Sequence, residues 1–425
     1  MKELLNKEFV KELNTNVYSN VTEKFKTASI QIMFRMNAKD VDIDALNLLS
    51  TLLGDACADY PSTPLLSSYL EELYGCAILP RVGVSGEAVN VSIISSFISD
   101  VYSEQGLSDK VIELMSKMIY KPFFKNGKFE KEYFEFEKKK VVSARQKALE
   151  NKESTAALKF AAITEKEYGL KTLLTSHTKI EKVTLNRVMD AYNKLINSAY
   201  EVLVIGDLNI DSIKESLVKY LPKSNEREEL NLIIPFEKEI KSKVEKNDKF
   251  SQSYLIALYN IDTNIQSDER EHFSALVYSF LLHDRYFDVV REKHGLCYAI
   301  SNSYLNANNA FRMTAGIDAS KYRKTMSLVN KEINKVKQGK INNKVWNKTI
   351  ELITGLLANN QDDVGSCLRD LESYATRDKY VSTDRAIEII KSLTKEDIIR
   401  IANKTRFLTS YLLKGTGTAG GENNE

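Results

Sequence analysis

Arg291 and Tyr298 are the two residues whose types and spacing best suit chemistry. They stand in the stretch Leu281 to Tyr304, LLHDRYFDVVREKHGLCYAISNSY. Phe287, Val289 and Val290 before Arg291 suit a helix, Gly295 suits the left-handed turn that ends one, and Cys297, Tyr298, Ala299 and Ile300 suit a pleated strand. A guanidinium at a helix end and a phenol seven positions later could face one point beside a sheet, offering a charged and a neutral donor to a carbonyl oxygen. The plainer reading makes Arg291 a solvated helix-end cation and Tyr298 an amphipathic packing residue.

Little else in the sequence suits chemistry. The four histidines are His177, His272, His283 and His294. The last three recur every eleven residues, which on a helix separates neighbours by about 16 Å, too far to share an ion. Cys57, Cys76, Cys297 and Cys367 show no CxxC spacing and read as reduced packing residues. There is no nucleophile elbow, Walker loop or dinucleotide glycine pattern. Sixty basic against fifty-eight acidic residues give a formal charge of +2 without a dominant block, which argues against nucleic acid as a partner. The opening MKELLNKEFVKELNTN has no apolar core of signal-peptide length, and no later run approaches membrane-spanning length, so the expectation is a cytoplasmic protein.

At 425 residues, 43% hydrophobic and 28% charged, the chain should form two or three domains. TASIQIMFRM, residues 27 to 36, alternates like a strand with one buried face, and Asp44 to Leu53 reads as a helix with a broad apolar face. Thr63-Pro64 reads as the cap and first residue of a second helix ending at Gly75. Ala77 to Phe97 reads as a hairpin about Ser85-Gly86-Glu87. Leu107 to Tyr168 reads as largely helical. Phe129, Tyr133, Phe136 and Val141 form an apolar stripe within the charged stretch 128 to 151, whose lysines and glutamates read as a solvated outer face. A helix over Thr184 to Ile196 then leads into the strand EVLVIG.

Beyond a charged linker at 223–248, with one apolar island from Leu232 to Phe236, the pattern starts again. Lys24-Phe25 before a strand reappears as Lys249-Phe250. LEELYGCAI reappears as VREKHGLCYAI. Val183-Thr184 and YEVLVIG reappear as Leu393-Thr394, with Asp397 completing a capping-box start, and SYLLKG. The offsets of 225, about 220 and about 210 residues drift as loop lengths would make them, which implies duplication of one α+β unit. The divisions expected are a first domain over 1–222, the linker, a second domain over 249–414 and a flexible tail over 415–425.

The order R-x-x-x-G-x-x-Y, with REK-x-GL inside it and two repeated halves around it, resembles the M16 zinc peptidases, the pitrilysin, insulinase and mitochondrial-processing-peptidase superfamily. The resemblance covers roughly residues 20 to 415. It implies two homologous α+β domains, each an antiparallel sheet covered on one face by helices, forming a hinged, clam-like chamber. Arg291 and Tyr298 match the arginine and tyrosine with which that family holds the scissile carbonyl. The chain departs from its relatives just before, at His283-Asp284, where small residues or glycine are frequent.

A second departure is larger. Catalytic members carry H-x-x-E-H on a helix of the first half, with a further zinc-binding glutamate downstream. Here that position, Leu46 to Asp55, reads LNLLSTLLGD, and Glu130, Glu132, Glu135 and Glu137, where the downstream glutamate is expected, have no histidine pair to complete. No metal or cofactor is therefore expected in this chain. The resemblance implies a non-catalytic subunit of a two-chain peptidase, with zinc in a partner bearing H-x-x-E-H, Arg291 and Tyr298 reaching that partner's site, and unfolded peptides as substrates. The alternative is an inert scaffold or peptide-binding protein, as a homodimer. An active peptidase with an unfamiliar metal site is the remaining possibility.

Overall fold

The computed structural model describes residues 5–103, 106–172, 177–263, 268–377 and 379–416; most of the tail, from 417 onward, lies outside them. The chain forms two compact units. The first comprises Met1–Arg145, Lys171–Leu232 and Asn359–Val381, and the second Gln146–Leu170, Ile233–Ala358 and Ser382–Glu425.

The first unit is built on strands β1 (Leu5–Val10), β2 (Thr15–Val21), β3 (Thr27–Asn37), β4 (Ala77–Ser85), β5 (Ala88–Ile98) and β8 (Ala199–Gly206), with a two-strand hairpin β6 (Phe124–Lys125) and β7 (Lys128–Phe129) beside them. The main sheet runs β1-β2-β8-β3-β5-β4, antiparallel except for the parallel pair β2/β8. Helices α1 (Ile43–Asp55), α3 (Leu107–Tyr120), α6 (Leu185–Ile196) and α7 (Ile210–Tyr220) share one core with Ile30, Ile32 and Phe34 of β3 and with Val89, Val91 and Ile93 of β5. The β4–β5 turn needs Gly86, whose φ of 57° is left-handed and whose missing Cβ leaves room for the backbone of Asn231 and Leu232.

Several sequence readings are refined. Ser62, not Thr63, occupies the N-cap position of α2 (Thr63–Glu72), without a side-chain hydrogen bond to the helix, and Pro64 sits within the first turn, where no backbone donor is required. Strand β3 is buried on both faces, not one. Its second set of residues, with Tyr18, Leu203 and Ile205, lies under α11 (Val364–Arg377), a helix from the second half of the sequence that contributes Cys367, Leu368, Leu371 and Ala375. In the charged stretch, α4 (Lys131–Ala148) buries Phe134 while Phe136 is 60% exposed.

The second unit repeats the plan. Strands β9 (Lys243–Lys246), β10 (Ser253–Ile261), β11 (Cys297–Leu305), β12 (Ala310–Ile317) and β13 (Thr405–Lys414) run β11-β12-β10-β13-β9, again with one parallel pair, β13/β9. Read from the other end, β9-β13-β10-β12-β11 matches β2-β8-β3-β5-β4, so the three sequence echoes fall on equivalent strands. One face carries α8 (Glu269–Tyr286), α9 (Tyr322–Lys337), α12 (Thr383–Ser392) and α13 (Lys395–Asn403), whose start has the expected Thr394/Asp397 capping box. The other face receives α5 (Lys152–Tyr168), a helix from the first half, through Ala156 and Phe160. The apolar island also packs here, Phe236 being buried against Tyr168 with ring centroids 4.4 Å apart. Helix α10 (Asn343–Asn360) buries only Thr349 and Ile353.

Candidate functional site

Helix α8 does not stop at Tyr286 but continues as a wider π turn over Phe287–Lys293, a form that clusters at functional sites. Tyr286 and Val290 are buried and fix that turn, leaving Arg291 42% exposed. Its guanidinium lies over the Phe287 ring, 4.7 Å from the centroid, and its sole ionic contact among the described residues is with the adjacent Glu292, at 3.6 Å. The turn is closed as expected. Gly295 adopts φ 55°, its N–H donates to the Arg291 carbonyl (2.9 Å), and the Leu296 N–H donates to that of Val290 (3.0 Å).

Strand β11 begins two residues later with a bulge. Cys297 faces Ile317 and Ala299 faces Gly316, so Tyr298 is an extra residue lifted from the ladder. Bulges re-aim side chains. Tyr298 is 76% exposed, and among the described residues its hydroxyl has no hydrogen-bond partner. The surroundings are cationic: Lys321 donates to the Gly295 carbonyl at 3.3 Å. Burial pushes the Cys297 thiol up, while Arg291 and Lys321 pull it down. Both motif residues thus stand within one helix–turn–strand element, with donors unspent.

In the first unit, Leu46, Leu48, Leu49, Leu52 and Leu53 of α1 are fully buried in the core where an H-x-x-E-H helix would present its ligands. At the end of α1, Asp55 lies 2.8 Å from the Lys140 ammonium of α4, which lies 2.8 Å from Glu137. The Tyr133 hydroxyl donates to the Leu52 carbonyl at 2.8 Å, holding the two helices together. Glu137 is completely buried, and neither carboxyl oxygen makes a hydrogen bond of good geometry, so its link to Lys140 is one of charge. Burial pushes its carboxyl up, Lys140 opposes this, and Asp55 adds to it. Two carboxylates closed by an ammonium do not fit zinc, which takes His, Cys and carboxylate donors in a tetrahedron. Among the described residues no group of three or more His, Cys, Asp or Glu could hold a metal ion.

The sequence reading left Glu137 among solvated or idle glutamates. The signal was present: Glu137 stands four residues after Tyr133, three after Phe134 and four before Val141, on the helix's apolar face. A second buried network was also missed. Arg35 on β3 pairs with Glu201 on β8 at 3.4 Å, Arg227 pairs with Glu201 at 2.6 Å, and both arginines donate to the Ala375 and Thr376 carbonyls at the end of α11. The histidines of α8 are separate, as their spacing requires. His272 Nδ1 meets the Tyr304 hydroxyl at 3.4 Å and His283 Nδ1 accepts from the Asn302 N–H at 3.4 Å; the side chain of His177 lies outside the described residues. None of the four cysteines is in a disulfide.

Two units with one sheet order, and an Arg/Tyr pair set on a helix–turn–strand element, agree with the fold that the resemblance to M16 metalloprotease-like proteins implied. Residues 182–353 match the family model described as the peptidase M16 inactive domain. The chain is 24% identical over 410 residues to the probable inactive metalloprotease YmfF of Bacillus subtilis (strain 168), covering 93% of this chain and 94% of that one. In structure it resembles a conserved protein from Enterococcus faecalis V583 (TM-score 0.88, 22% identity, 99% and 100% of the two chains). It also resembles an M16 inactive domain from Pseudomonas fluorescens (TM-score 0.75, 14% identity, 97% and 98%). The comparisons thus support a non-catalytic, M16-like protein, similar over nearly its whole length to a probable inactive metalloprotease.

Proposed function

We propose that this chain is the non-catalytic, substrate-binding subunit of a two-chain M16 peptidase, lending Arg291 and Tyr298 to a zinc site carried by an H-x-x-E-H partner. One observation carries this reading. Arg291 is partly exposed and Tyr298 exposed on one helix–turn–strand element, with few partners of their own, on a chain whose helix α1 carries buried leucines where H-x-x-E-H would stand. In the partner, zinc would supply carbonyl polarisation and a hydroxide nucleophile. This chain's part is to orient the peptide and to stabilise negative charge developing on the carbonyl oxygen, through the Arg291 guanidinium and the Tyr298 hydroxyl. Substrates are unfolded peptides, since an open sheet edge pairs with extended backbone. Among the described residues no helix is long and apolar enough to cross a membrane, and a cytoplasmic site of action accords with this.

The test is peptide cleavage by this chain, by an H-x-x-E-H chain and by their mixture, with Arg291→Ala and Tyr298→Phe alongside. The expected result is cleavage by the mixture alone, falling about 10²- to 10³-fold in kcat with either substitution while the complex persists on gel filtration. A mixture indifferent to both substitutions would leave the chain a scaffold. Zinc-dependent cleavage by this chain alone would overturn the reading altogether.

A further inference from the structure

The peptide-binding reading leaves open which backbone groups a peptide would meet, and the two corresponding sheet edges differ in this respect. In the first unit the edge strand β4 carries Pro80 at its middle. Proline has no N–H to offer, and within sheets it is confined to places where that loss faces outward. An incoming strand would find a donor missing at the centre of β4. In the second unit the edge strand is β11, whose only ladder partner among the described strands is β12.

Residues of an antiparallel strand alternately turn both backbone polar groups toward the partner strand and away from it. The Asn302 N–H donates to His283 Nδ1 and so is not a ladder donor, which puts Asn302, and by alternation Ile300 and Tyr304, on the outward row. Helix α8 holds Asn302 a second time, its side-chain amide donating to Ser279 Oγ at 3.0 Å and to the Ser279 carbonyl at 3.3 Å. Both contacts come from the last two turns of α8. Before Asn302 the edge is open, and among the described residues no side chain caps the outward amide of Ile300.

We propose that His283 sets the end of the peptide-pairing edge: an extended peptide adds to β11 along Tyr298–Ser301 and stops at Asn302, whose outward amide the imidazole already occupies. His283 is then a positioning residue. By closing the far half of the edge it holds a peptide at the end that carries Arg291 and Tyr298. A glycine or small residue at position 283 would leave the Asn302 amide free.

The test measures binding of capped, alternating Thr/Val peptides, roughly four, six and eight residues long, to the full chain and to His283→Ala by fluorescence anisotropy, together with hydrogen exchange at the Asn302 amide. With His283 in place, affinity should level off beyond the shortest peptides. In His283→Ala the longer peptides should gain about fivefold, the worth of one further hydrogen bond. Asn302 exchange should quicken in the variant and slow again when the longest peptide is added. Ile300→Pro, which removes the open outward amide, should abolish binding in both backgrounds. The same length dependence in both proteins would sink the role of His283 and leave peptide binding intact. No binding of any peptide by either protein would remove the peptide-binding reading and this inference with it.

Discussion

Arg291 and Tyr298 spend almost none of their bonding capacity on the fold, so their loss should register in catalysis and not in stability. Either substitution is expected to stay within about 0.5 kcal/mol of the parent on urea unfolding. A larger loss would make them structural. Glu137 is the opposite case. Its carboxyl is held above the ordinary value of 4.5, first by burial. The folded chain therefore binds that proton more tightly than the unfolded one. The resulting stabilisation is complete below the ordinary value and is lost as pH rises through the raised one. Glu137→Gln is neutral at every pH, so its Tm relative to the parent should climb as pH is raised from about 4; parallel curves would show that Glu137 does not titrate in this window. Lys140→Met, which strands Glu137 without its cation, should cost about 1–3 kcal/mol, less than a fully buried pair because Lys140 is half exposed. The helix–turn–strand that carries Arg291 and Tyr298 was legible because it is local. The Asp55–Lys140–Glu137 cluster was not, since it joins two helices some 80 residues apart and only helical phase marks Glu137 as inward.

Among the elements, α11 is held by charge as well as by apolar contact. The Arg35 and Arg227 guanidinia lie on the carbonyls at its C-terminal end, where cations suit the helix dipole, and Glu201 balances them. Burial pushes Glu201 up, and Arg35, Arg227 and Lys7 pull it down. Glu201→Ala should destabilise the protein by about 3–5 kcal/mol, because Arg35 would be left buried without a counter-charge. Proteolysis should then begin within 359–381; cleavage elsewhere first would mean that α11 is held by its apolar contacts alone. Thr394→Ala, which breaks the capping box of α13, should cost about 1 kcal/mol. Such caps, and the alternation of β3, were readable from the chain. That β3 is buried on both faces was not, because Gln31 and Arg35 look like solvent-facing residues until α11 is laid over them.

On the scale of the molecule, the duplication was legible because each echo repeats a strand with its neighbouring turn. The exchange of helices was not, since the apolar stripe of α5 or α11 does not say which sheet it covers. The exchange has a direct test. Residues 1–248 lack α11, which covers Tyr18, Met33, Leu203 and Ile205, and residues 249–425 lack α5, which covers Ile256 and Leu258. Each fragment expressed alone should bind a hydrophobic dye and unfold without cooperativity, and co-expression should restore a single sharp transition. A cooperative transition in either fragment by itself would show that the exchanged helix is dispensable.

The exchange also sets a timetable for synthesis. Ordinarily an N-terminal domain folds while its successor is still being made. Here the first unit lacks a part until Val381 has been joined, close to the end of a 425-residue chain. At ordinary elongation rates the stretch from Leu232 to Val381 takes roughly 7 to 30 s. Throughout that interval the nascent sheet holds a bare face on which Arg35 and Glu201 lie among apolar side chains, a surface suited to a chaperone near the ribosome exit.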